Sequence, residues 1–182
     1  SNTLIKPLGL IVLPALQLAL TVVALLIPRI APRKRNLRMS RRAYRTIWLA
    51  VLALLTLTHG LSIADASGLE LPTVKVVFAA VSVLLVVIGN VLTTVQSNFF
   101  MGVRTPWTLT SDFTWRKTHR FAGLMLVLMG VISFVLSLVA GTSLAGTVLG
   151  AGAAGVAVLS MAYSYVVWRN APDRTNEMND KE

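Results

Sequence analysis

The sequence predicts an all-α protein, a polytopic transmembrane helix bundle with about five spans and an interfacial cytoplasmic hairpin or helix between spans three and four. Three observations predict it. Apolar residues make up 55% of the chain and charged residues only 13%. The apolar residues fall in blocks of about 20, the length a helix needs to cross a hydrocarbon core. The basic residues gather in alternate connections between the blocks, which places them on one side of a membrane.

The five blocks lie near residues 7–27, 46–64, 73–95, 120–140 and 144–168. The chain starts Ser1-Asn2-Thr3, and little basic sequence beyond Lys6 precedes the first block, which disfavours a cleavable signal. Within that block Pro14 marks a kink and Pro28 a helix end. Arg29, Arg33, Lys34, Arg35, Arg38, Arg41, Arg42 and Arg45 crowd the next connection and predict its retention in the cytoplasm. Alternation then puts Asp65 and Glu70 outside, residues 96–120 inside, the Gly141 to Gly146 turn outside and the tail from Arg169 inside. Ser1 falls outside, so a further helix upstream is expected. Three parts follow: residues 1–45, a first span with its basic loop, the end of a smaller N-terminal domain; residues 46–168, the main membrane bundle; and residues 169–182, a polar cytoplasmic tail.

A formal charge of +10 would suit a nucleic-acid binder, but these cations hug helix ends on one side, as membrane topology demands. No direct nucleic-acid contact is expected. The bilayer is the first partner, and anionic lipid headgroups attract such a loop by about 1 kcal/mol per basic residue. Cysteine is absent, which removes disulfides, thiolate metal sites and cysteine nucleophiles together, and neither cofactor nor metal is expected.

No Asp, Glu, Lys or Arg lies in the middle of a span, which disfavours an ion-coupled transporter. The polar residues inside are Gln17, Thr56, Thr58, His59, Ser82, Asn90, Thr93, Thr94, Ser133, Ser137 and Ser160. Most are hydroxyls able to bond back to their own helix, and His59 is read as an interfacial hydrogen bonder. Asn90, near the inner end of the third span, either glues helices or shapes the inner site. Gly146 and Gly150, with Ala151 and Gly155, form a face of small residues for close helix packing. Tyr163, Tyr165 and Trp168 fit an inner aromatic belt.

The insert NFFMGVRTPWTLTSDFTWRKTHR, from Asn98 to Arg120, concentrates the polar chemistry. Asn98 to Gly102 reads as a chain reversal in which Gly102 supplies backbone freedom. Pro106 biases Thr105 toward an extended conformation. Ser111 is a suitable N-cap for a helix that begins at Asp112 and runs into the fourth span. On that helix Trp115, His119 and Ala122 share one face and Phe113, Arg116 and Arg120 another, so both faces mix aromatic and cationic groups. One reading is an interfacial anchor, with Trp107 and Trp115 at headgroup depth and the arginines on phosphates. The other is a hydrogen-bonded pocket at the inner mouth of the bundle, because Arg104, Thr105, Trp107, Thr108, Asp112, Trp115, Thr118 and His119 supply hydroxyls and a carboxylate that anchoring does not need.

The run Gly89-Asn90, then NFFMGVRTPWTL, then WRKTHRFAG resembles the signature of the SdpI family of bacterial membrane proteins. The matching residues are Gly89, Asn90, Asn98, Gly102, Val103, Arg104, Thr105, Pro106, Trp107, Thr108, Leu109, Trp115, Thr118, His119, Arg120 and Gly123. Where relatives commonly have Pro-Lys after the Gly-Asn pair, this chain has Thr93-Thr94. The resemblance implies a multispanning immunity and signal-transduction protein. Its implied partners are a membrane-active toxin peptide and a cytoplasmic repressor protein. The functional insert is expected at Asn90, Asn98, Gly102, Arg104, Thr105, Pro106, Trp107, Thr108, Trp115, Thr118, His119 and Arg120 of that signature, with Asp112 added from the polar cluster.

Two other functions are compatible with the residues. A membrane enzyme acting on lipid or headgroup substrates would use His119 as general base, Asp112 as its orienter and Arg104 as an anion clamp. Asp112 and His119 are two helical turns apart, roughly 10 Å along the axis, too far for a direct pair. There is also no HExxH, paired-carboxylate or nucleophile-elbow motif. A passive lipid or small-molecule transporter is the other alternative.

Overall fold

In the computed structural model, residues 5–30 and 34–173 are described, and among them every regular element is a helix. The order is α1 (Ile5–Ile30), α2 (Lys34–Met39), α3 (Arg41–Ala66), α4 (Thr73–Leu92), α5 (Pro106–Thr110), α6 (Asp112–Val139) and α7 (Thr142–Arg169). Five are long and apolar enough to cross a membrane, α1 over Ile11–Ile30. The expected all-α bundle of five spans is therefore what the chain forms. The expectations about Ser1 and about the tail beyond Asp173 fall outside the described residues.

Two spans start five or more residues before their apolar blocks. Helix α3 begins at Arg41 and α6 at Asp112, because basic and polar residues continue the helix outward past the point where apolar sequence begins. Helix α1 continues two residues past Pro28. The two short helices, α2 in the basic loop and α5 in the insert, carry no apolar periodicity of their own.

The bundle is built on the antiparallel pair α4 and α6, with α7 against α6, α3 against α4 and α1 against α3. Glycine sets the central crossing. A Cβ placed on Gly89 would lie 2.6 Å from the Gly123 carbonyl oxygen, and one on Gly123 would lie 2.6 Å from the Gly89 oxygen. Two turns along α6, Gly130 makes a similar approach, 2.7 Å from the Ser82 oxygen. This displaces the expectation that Gly146 and Gly150 form the close face. Gly146 does abut Phe78 of α4, but Gly150 and Gly155 have nothing within 4 Å.

Outward positions carry large apolar side chains, whereas Ser82, Ser133, Ser137, Ser160 and Ser164 are buried. Lipid is as apolar as leucine, so burying leucine gains little, and small hydroxyl residues let backbones approach. Ser82 donates to the Phe78 carbonyl and Ser137 to the Phe134 carbonyl, each at 2.7 Å, which satisfies the hydroxyl within its own helix. Helix α1 is tied on by Gln17, whose amide donates to Thr56 Oγ1 at 2.8 Å, and by Tyr44, whose hydroxyl donates to the Ala24 carbonyl. Lys75 reaches across to the C-terminal turn of α6 and donates to the Leu138 carbonyl at 3.1 Å.

The crossing makes a paired prediction. Gly123→Ala should destabilise the bundle by about 1–3 kcal/mol, the usual cost of overpacking, while Gly150→Ala, which meets open space inside a helix, should leave stability unchanged or raise it by up to about 1 kcal/mol. Unfolding of the two purified variants in detergent measures both.

Candidate functional site

At one end of the bundle the chain leaves α4, crosses beneath the helices as residues 93–105, forms α5 and enters α6. Peptide groups outside a helix need partners, and here side chains supply them. Asn98 is buried and makes the first reversal: its Oδ1 accepts from the amides of Phe100 and Met101 at 2.7 and 2.8 Å, and its Nδ2 donates to the Gln96 carbonyl at 2.8 Å. Trp115 is also buried, and its indole N–H donates to the Val95 carbonyl at 2.7 Å.

His119 closes the next turn. Its Nδ1 lies 2.8 Å from the Trp115 carbonyl and its Nε2 accepts from the Val103 amide at 3.1 Å. A carbonyl only accepts and an amide only donates, so the proton sits on Nδ1 and the lone pair on Nε2. The ring stacks on Trp115 with centroids 4.0 Å apart. Gly102 makes this possible. It has φ +99°, and a Cβ there would run into the imidazole.

Thr105 is extended, as its position before Pro106 predicts, and caps α5. Its hydroxyl accepts from the Thr108 amide at 3.2 Å while the Thr105 amide donates to Thr108 Oγ1 at 2.9 Å, a reciprocal capping box. Thr108 Oγ1 also contacts the Val103 carbonyl at 2.9 Å, and Thr105 Oγ1 lies 3.2 Å from Ser164 Oγ, joining the insert to α7. Ser111 caps α6, accepting from the Thr114 amide at 3.0 Å. It donates in turn to Asp173 Oδ1 at 2.7 Å, and Asp173 Oδ2 accepts from the Phe113 amide at 3.1 Å. Burial works against ionisation of Asp173, but these two donors and the nearby Arg116 outweigh it and hold the carboxyl below its ordinary range.

The sequence-predicted residues thus divide by exposure. Asn98, Thr105, Thr108, Trp115, Thr118 and His119 are buried, and Gly102 and Pro106 shape the backbone around them. Arg104, Asp112 and Arg120 are exposed. Arg104 folds back to donate to the Phe99 carbonyl at 2.6 Å. Trp107 packs edge-on against Tyr165 of α7, with centroids 5.1 Å apart. Trp115 is therefore a core residue and not a headgroup anchor. The face it shares with His119 is not cationic, because each imidazole nitrogen is bonded to backbone in the neutral tautomer. Asn90 is exposed, and among the described residues no hydrogen bond joins it to the insert. It lines a lateral groove with Thr93, Lys117 and Arg120 instead.

This geometry corrects the catalytic reading. A general base needs a free lone pair, and His119 Nε2 already accepts a backbone proton. Asp112, its suggested orienter, points outward from the same helix. Four contributors were not foreseen. Asn36 of α2 donates to the Ser97 carbonyl at 2.7 Å, and Ser40 accepts from the Gln96 amide at 2.9 Å. Ser164 and Asp173 are the other two. Ser40 is the N-cap residue of α3 and Asp173 follows the end of α7, and nothing local reveals that either reaches another element. In place of an open pocket, the insert is a packed plug above an apolar cavity of about 400 Å³ that includes Trp48, Met101, Val103 and Ser160.

Five apolar spans closed at one end by a hydrogen-bonded inter-helix plug define a multi-pass membrane protein. The SdpI/YfhL protein family model matches residues 94–164, the stretch that holds the plug, α6 and most of α7. Immunity protein SdpI of Bacillus subtilis (strain 168) is 32% identical over 138 residues, which is 75% of this chain and 63% of that protein. The chain thus spans less than two thirds of that relative's length. No solved structure matches it.

Gly102→Ala should displace the His119 ring and cost about 1–3 kcal/mol through the strained backbone conformation it imposes. Nitrogen NMR of labelled His119 checks this: the parent should show the Nδ1-protonated neutral form, and the variant should lose it along with thermal stability.

Proposed function

We propose that this chain is an SdpI-like immunity protein that protects a cell from a membrane-active toxin peptide. The observation that carries the reading is the match of the plug itself: the residues that resemble the family signature are those that tie α4, α6 and α7 together at one end. The relative's name supplies the activity. We place residues 29–45, 96–120 and 169–182 in the cytoplasm on the distribution of basic residues. We also retain the division into an N-terminal part at 1–45, a bundle at 46–168 and a tail at 169–182.

Signalling to a cytoplasmic repressor fits the exposed part of the insert. Arg104, Trp107, Arg116 and Arg120 give it an aromatic and basic surface, so a partner would need an acidic patch or close shape complementarity. A non-enzymatic role is favoured by the commitment of both His119 nitrogens to backbone.

Cells expressing the chain should survive toxin challenge, and Arg104→Ala and Trp107→Ala should each return survival toward that of cells without it at unchanged membrane abundance. Full survival in both variants would remove the insert from the mechanism. The orientation has its own test, made clean by the absence of native cysteine. In intact cells Ser67→Cys should react with an impermeant maleimide and Thr110→Cys should react only after lysis; the reverse pattern inverts the topology.

A further inference from the structure

We propose that the lateral groove between α4, α6 and α7 binds an anionic phospholipid, with its phosphate between Lys117 and Arg120 and an acyl chain along the outer face of α6. The groove measures about 610 Å³ and is bordered by Asn90, Thr93, Lys117, Arg120 and Tyr163, with the Gly89–Gly123 crossing at its back. Phe121 and Tyr163 stack at 4.5 Å and form the wall toward α7.

Charge defines the ligand. No acidic residue borders the groove, and among the described residues no ion pair engages Lys117 or Arg120. Lys117 lies over the Phe113 ring, with its Nζ 5.7 Å from the centroid. Asp112 stands at the start of α6, outside the groove lining, and Asp173 is held by Ser111 and the Phe113 amide. Asn90 is exposed and brings an amide to the same space. Two cations and a neutral donor suit a phosphate diester, whose single charge is shared over two oxygens.

Depth selects a lipid over a soluble anion. Helix α4 has 20 residues, so it spans roughly 30 Å, the thickness of a hydrocarbon core, and its end at Leu92 marks the boundary. Gly123 crosses α4 at Gly89, so Arg120, one turn outward on α6, is level with Leu92. The groove therefore opens at phosphate level. Below it, Leu124, Leu128, Val131 and Val135 continue the Lys117–Arg120 stripe at helical spacing, and all four are about half exposed. Cation, cation and then an unbroken apolar track match a headgroup and its chain. Helix-end cations that merely snorkel need no amide beside them and no groove.

This site goes beyond immunity and is tested without toxin. The full chain, purified into phosphatidylcholine nanodiscs carrying a low fraction of phosphatidylglycerol, should retain phosphatidylglycerol selectively by native mass spectrometry. Lys117→Gln and Arg120→Gln should each reduce that selectivity about fivefold, the effect of one surface charge. Asn90→Leu, which changes no charge, should reduce it as well, and Arg42→Gln, an exposed cation outside the groove, should not. Equal losses from Arg42→Gln and Arg120→Gln would mean diffuse attraction and overturn the site, as would selectivity untouched by all four changes. Release of the lipid by millimolar inorganic phosphate would overturn the lipid assignment in favour of a free anion.

Discussion

The constraint on which the rest of this structure depends is the non-helical peptide backbone between Thr93 and Thr105, which must find its hydrogen-bond partners outside a helix. A chain that leaves one transmembrane helix and enters another beneath the bundle exposes amides and carbonyls close to hydrocarbon, where water cannot reach all of them. Each such group left unbonded costs several kcal/mol in lipid. Asn98, Trp115, His119 and Thr108 each bond to one or more of these groups, and Asn36 and Ser40 bring α2 and the start of α3 into the same network. The insert is polar because its own backbone requires it.

The same constraint explains why the crossing of α4 and α6 is built from glycine. Trp115, His119 and Ala122 must face the chain that descends from α4, which fixes the rotation of α6, and that rotation turns Gly123 onto Gly89. A bulkier residue at either position would separate the helices and pull Trp115 from the Val95 carbonyl. The plug and the crossing are thus two ends of one alignment, a few residues apart on each helix. Small hydroxyl side chains continue it through the interior because they occupy little volume, and Ser82 and Ser137 also bond back to their own helix.

Much of this was legible in the sequence because it follows from local rules. Five spans follow from block length, the Ser111 cap and the entry of α6 from residue type, the extended Thr105 from Pro106, and the reversal at Gly102 from the need for a positive φ. Pairings between distant segments were not legible. Nothing near Asp173 announces Ser111, nothing near Ser40 announces Gln96, and a tryptophan near a membrane surface reads as a belt residue until its indole partner is seen. The GxxxG spacing in α7 misled for a related reason: it records that two glycines share a helix face, whereas a close approach depends on what the facing helix brings, which is backbone at Gly89, Gly123 and Gly130 and nothing at Gly150.

A signature whose residues are largely occupied in holding backbone divides naturally into two layers. The inner layer, Asn98, Gly102, Thr105, Thr108, Trp115 and His119, has its polar atoms or its conformation committed to the fold, so changing it disturbs the bundle before it disturbs recognition. The outer layer, Arg104, Trp107 and Arg120, rests on that frame with its faces turned outward. Arg104 spends one guanidinium nitrogen on the Phe99 carbonyl and keeps donors for something else. Trp107 is braced by Tyr165 at one edge, which gives an aromatic surface little entropy left to lose on contact. Loss of function from an inner-layer change therefore says little about the partner, whereas loss from an outer-layer change in a protein that still folds identifies where the partner touches.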